Sequence, residues 1–218
     1  MIWWLWLATL VSFLGSLFYV LMGLAPEASQ GFVQKIFFFH VPAAFTMYAF
    51  LFVAFGSAVG YLVKRTQKFD QVSRASMICA LGFATIVILS GPIWAKPIWG
   101  VYWTWDPRLT TTFVVFVLLV AYHIVRHRFE EQRMQERGAL LGAILAILAV
   151  LDVPLIHLSV QLWRGVHPSV LRNPQGLPED FQRGLEAMIL AFFLLGGCFY
   201  YVVWHYLEIR RRVKEKNA

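Results

Sequence analysis

Long apolar runs alternate with short polar stretches from one end of the chain to the other. About 20 mainly apolar residues, at about 1.5 Å rise each, cross the hydrocarbon core of a bilayer as a helix. Six segments reach that length: residues 3–24, 41–63, 75–95, 109–126, 138–162 and 184–207. The pattern predicts an all-α integral membrane protein, a single six-helix domain over residues 1–218. Its two most distinctive connections are expected at about 96–108, rich in tryptophan, and about 163–183, which carries a histidine. The opening "MIWWLWLATLVSFLGSLFYVLMGLAPEA" lacks the basic start of a signal peptide, and its apolar run is longer than such a peptide needs. It is expected to remain as the first span.

Composition narrows the class further. Of 218 residues 59% are hydrophobic and only 14% charged, with a mean hydropathy of +0.63, which excludes an ordinary soluble domain. A net charge of +7 would suit nucleic acid, but the basic residues stand in short clusters between apolar runs, as topology signals do. Lys64, Arg65, Lys68 and Arg74 form one cluster, Arg126, Arg128, Arg133 and Arg137 a second, and Arg210, Arg211, Arg212, Lys214 and Lys216 a third. These thirteen of the 19 Lys and Arg residues fall on one side of a six-span topology. By the positive-inside rule that side, with both termini, is cytoplasmic. Lys35, Lys96, Arg108, Arg164, Arg172 and Arg183 face outward. Cys79 and Cys198 lie inside apolar runs, without the spacing of a disulfide framework or thiolate site.

The three outward connections carry the candidate chemistry. The first ends in "FFFHVPAAF", where Pro42 suits the first turn of a helix and His40 is expected at the membrane surface just before it. The second is "WGVYWTWDPRL", which packs Trp99, Tyr102, Trp103 and Trp105 beside Asp106 and Arg108. The third, "QLWRGVHPSVLRNPQGLPEDFQRG", carries His167 ahead of another proline. Two outward histidines flank an aromatic platform. Imidazole is a common iron ligand, and a flat apolar macrocycle packs well on aromatic faces, so the set suits haem. Its propionates would meet Lys96, Arg108, Arg164 and Arg172. Trp3, Trp4, Trp6, Trp94 and Trp204 are read as interfacial anchors or packing residues.

Other polar positions read more plainly. Asp152 and His157 lie within the fifth span, Asp152 as a hydrogen-bonding group of the bundle interior and His157 as a candidate support for the haem site. His123 and His127 share a helix face at i, i+4, yet basic residues at that end complement the helix C-terminus, and His205 is similar. The stretch "RHRFEEQRMQER" reads as a solvated turn.

"FFHVPAAF", "WGVYWTWDPRLTTTFVVF" and "DVPLIHLSVQLWRGVHP" occur in the order, and on the side, found in the tryptophan-rich WWD family of haem-handling proteins of cytochrome c maturation. The chain resembles the short, six-span branch of that family along nearly its whole length. The resemblance implies an inner-membrane protein that holds haem b at its outer face and hands it to the periplasmic haem chaperone CcmE. His40 and His167 match the axial ligands of the iron, and Trp99, Tyr102, Trp103, Trp105, Asp106 and Arg108 match the platform. Tyr102 stands where many members carry tryptophan; it keeps the stacking face and adds a phenol. The covalent bond to haem belongs to the chaperone's own histidine, so this chain would position haem without a catalytic nucleophile. The resemblance also implies association with ABC-type transporter subunits whose ATPase is another chain, consistent with the absence of a phosphate-binding glycine loop here. A small-solute permease and a structural docking subunit of an ABC-type complex remain as alternatives. Sparse intramembrane charge opposes the first, and an absorption spectrum separates both from a haem protein.

Overall fold

A computed structural model describes residues 2–163 and 177–216, with the side chains of residues 2, 160, 161 and 215 excepted. Six helices follow one another: α1 (Ile2–Phe18), α2 (Phe37–Lys64), α3 (Gln67–Trp99), α4 (Pro107–Glu131), α5 (Gln135–Trp163) and α6 (Glu179–Lys216). Each, with α1 extended through residue 23, is long and apolar enough to cross a membrane. The protein is an all-α, six-helix membrane protein. A π-helical turn, Tyr19–Gly23, continues α1, and a 3-10 turn, Phe32–Ile36, leads into α2.

The helices outrun the apolar windows because polar residues at their ends continue the backbone hydrogen bonding. Between α2 and α3 only Arg65 and Thr66 are non-helical, and Arg65 closes α2 in the left-handed region with φ 55°. The expected solvated turn around Arg126–Arg137 is likewise mostly helix, reduced to residues 132–134. Charges there find partners across helices: Arg126 grips Asp70 through two hydrogen bonds of 2.9 and 2.8 Å, and Arg74 meets Glu130 at 2.8 Å. Glu130 also takes Arg210 at 3.4 Å and Lys214, both from α6.

α2 sits centrally, against α3, α5 and α6, while α4 pairs with α5 and α1 with α6. Without a hydrophobic drive between helices in lipid, close approach depends on small residues. α5 supplies Ala139, Ala143, Ala146 and Ala149, all buried. Gly142 lies among them: a Cβ there would stand 2.9 Å from Arg126 Cδ and 3.0 Å from Tyr122, so glycine is what admits α4. Apolar side chains such as Trp3, Leu10, Phe52, Leu89 and Leu190 cover the outside of the bundle, the face that lipid tails would meet.

Candidate functional site

The aromatic end is built where α3 stops and α4 starts. Residues 96–99 continue α3, and Gly100, at φ 76°, ends it by donating its N–H to Lys96 O at 3.0 Å. Trp99 is therefore the last residue of a helix. The non-helical stretch is only residues 100–106, shorter than the expected 96–108, because Asp106 and Pro107 start α4 early. Asp106 is buried and its Oδ1 accepts the Arg108 N–H at 2.9 Å, an N-cap followed by proline at the first helical position.

Within this stretch Trp103, Trp105 and Phe113 of α4 make a three-ring cluster, with near-perpendicular pairs at 5.9, 6.0 and 6.4 Å. Trp105 remains 74% exposed and Tyr102 61%. The Lys96 ammonium lies 5.2 Å over the Tyr102 ring while donating to Gly100 O. Trp103 Nε1 and Thr104 Oγ1 are buried without a hydrogen-bond partner among the described residues. Arg108 lies in the first turn of α4, its N–H held by the Asp106 cap.

His40 departs from expectation. It lies inside α2, in the first turn after Phe37, because the 3-10 turn runs straight into the helix while Phe37 and Phe38 bury themselves. Pro42 consequently falls in the second turn, where its ring removes a donor to the Phe38 carbonyl. His40 is half-buried against α3: Nδ1 lies 2.9 Å from Ser90 Oγ, and its ring meets Trp94 edge-on at 5.9 Å. Trp94 in turn donates Nε1–H to Gln30 Oε1 at 3.0 Å, tying this wall to the α1–α2 connection. The connection is itself braced. Ser29 and the Gln30 N–H bond the Glu27 carboxylate and hold its pKa below the usual value, and buried Lys35 donates to Leu21 O and Leu24 O at the end of the π turn.

Ser90 and Gln30 carry no signal in the sequence, Lys35 counts there only among the outward charges, and Trp94 reads as an anchor or packing residue. A serine inside an apolar helix gives no signal until the neighbouring helix is in place. His167, Arg164 and Arg172 lie outside the described residues.

The remaining polar positions separate cleanly. Asp152 is in the interior as expected, but its Oδ2 has no hydrogen-bond partner among the described residues. His157 turns toward α2, with its ring 5.3 Å from Tyr48 and Nδ1 3.1 Å from Val153 O. His123 bonds Met77 O and His127 pairs with Glu131, so the i, i+4 pair does not converge. No group of three or more His, Cys, Asp or Glu among the described residues is placed to hold a bare metal ion.

Comparison with known proteins gives a consistent set of relatives. A family model described as heme exporter protein C matches residues 1–218. Heme exporter protein C of Escherichia coli K12 is 32% identical over 177 residues, covering 80% of this chain and 71% of that protein. The protein of the same name from Bradyrhizobium diazoefficiens is 30% identical over 213 residues, 96% of this chain and 80% of that protein. A putative cytochrome c biosynthesis ccmC-like mitochondrial protein of Marchantia polymorpha is 26% identical over 197 residues, 88% of this chain and 80% of its own length.

Proposed function

The chain belongs to the heme exporter protein C family, and from that premise we propose that it binds haem b as cargo at its aromatic end and delivers it for cytochrome c maturation. His40 and His167 are the axial ligands, and the stretch from Trp99 to Arg108 is the surface on which the macrocycle rests. The observation that carries this reading is the pairing of a half-buried imidazole in α2, fixed by α3, with an aromatic cluster whose Trp105 and Tyr102 faces remain exposed at the same end of α3.

The residues present fit that cargo. Exposed aromatic faces suit the apolar ring. Lys96 and Arg108 supply positive charge for the propionates, and the unpartnered Trp103 Nε1 and Thr104 Oγ1 are hydrogen-bond donors of the same stretch. Asp106 shapes the platform by capping α4. Bound iron supplies the Lewis acidity that ligand exchange needs; the chain's own work is to bind, orient and release.

The basic end faces the cytoplasm and the aromatic end faces the periplasm of a bacterial inner membrane. From there haem passes to the chaperone CcmE, which approaches the open aromatic loop, and the ABC-type subunits of the complex supply ATP hydrolysis. The test is an absorption spectrum of protein purified from haem-replete cells. A Soret band is expected in the wild type, lost in the double variant His40→Ala, His167→Ala at unchanged membrane abundance. Colourless wild-type protein would overturn the reading.

A further inference from the structure

The hydrogen bonds around Ser90 determine which nitrogen of His40 carries the proton. Ser90 Oγ lies 2.6 Å from Ile86 O, one turn back in α3, and 2.9 Å from His40 Nδ1. A hydroxyl has one hydrogen, and a carbonyl oxygen has none to give. The 2.6 Å contact therefore consumes the serine proton, a back-bond common for serine inside helices. Toward His40 the same oxygen can only accept, so Nδ1 bears a proton, and in the neutral imidazole Nε2 carries the lone pair.

The next residues of α3 hold the ring in place. A Cβ on Gly91 would stand 3.4 Å from His40 Cε1, so the imidazole lies against the bare backbone there. Trp94 meets the same ring edge-on. Positions 90, 91 and 94 lie on one face of α3, and together they fix the imidazole's tautomer and its plane.

We propose that Ser90 is the positioning residue for haem capture, its hydroxyl oxygen accepting the His40 Nδ1–H so that Nε2 is presented to the iron. This rests on the haem reading for the iron, but not for the tautomer. A metal-bound imidazole whose other N–H is anchored is oriented before the metal arrives, and losing such an anchor weakens metal binding about 10- to 100-fold. Serine does here what a carboxylate or backbone carbonyl does at many metal sites, with no added charge inside the bundle.

The test uses full-length protein in detergent micelles, labelled with 15N-histidine and kept haem-free above the histidine titration range. The His40 signals, assigned against His40→Ala, should show the Nδ1–H tautomer alone in the wild type and in Ser90→Thr, and a mixture of tautomers in Ser90→Ala. Titration with haem should then show at least about tenfold weaker binding by Ser90→Ala, with Ser90→Thr close to the wild type. An unchanged Nδ1–H tautomer in Ser90→Ala, or unchanged haem affinity, overturns the assignment of Ser90. If His40→Ala binds haem as the wild type does, the axial role of His40 falls, and that of Ser90 with it. Ser90→Ala is mild for a helix, and far-ultraviolet circular dichroism confirms that each variant is folded.

Discussion

At Asp106 the carboxylate Oδ1 accepts the Arg108 amide at 2.9 Å, turning the end of the aromatic stretch into the first turn of α4. The Thr110 N–H and hydroxyl both bond the Asp106 carbonyl, at 2.9 Å each. Asp106 therefore sets the position of Trp103 and Trp105 relative to Phe113 through the backbone, as a brace for the platform. Replacing it by alanine removes an N-cap and should cost about 1 kcal/mol of stability, read as a lower midpoint of thermal unfolding in detergent together with weaker haem binding. Asp106→Asn keeps an acceptor oxygen and should retain most of both. Equal loss in the two variants would mean that the negative charge, and not the cap, is what matters. Sequence alone groups this residue with the aromatic platform without giving it a task, because an N-cap is visible only once the helix start is known.

Helices α3 and α4 are joined at the basic end by side chains that sequence reading assigned to solvated loops. Arg126 is nearly buried and meets Asp70 in a two-pronged pair, beside Glu130, which gathers Arg74, Arg210 and Lys214 from α3 and α6. Removing one partner of such a pair leaves the other charge uncompensated. Arg126→Ala should destabilise the bundle by about 3 kcal/mol, measured by unfolding in a denaturing-detergent titration. The double variant Asp70→Ala, Arg126→Ala should lose clearly less than the sum of the single losses; strict additivity would show that the two residues act separately. The six spans were legible because apolar length is a strong signal, whereas helix ends depend on cross-helix ion pairs and caps that no single segment contains. The same cause displaced His40. Its proline suggested a helix start at residue 41, but the 3-10 turn from Phe32 and the burial of Phe37 and Phe38 begin the helix four residues earlier.

The whole molecule has two chemically distinct ends. One carries cross-linked charges contributed by α3, α4 and α6; the other carries Trp103, Trp105 and Tyr102, and an imidazole held by α3. The aromatic stretch between two spans was legible from residue type and topology, while the serine, glutamine and tryptophan that surround His40 were not. Their partners come from segments far apart in the chain and meet only in the assembled bundle. Electron paramagnetic resonance of the ferric haem-loaded protein tests the proposed ligation most directly. Two axial imidazoles predict a low-spin signal in the wild type, a high-spin signal in His40→Ala and in His167→Ala, and return to low spin when free imidazole is added to either variant. A high-spin wild type, or variants that stay low-spin without imidazole, would contradict axial ligation by His40 and His167.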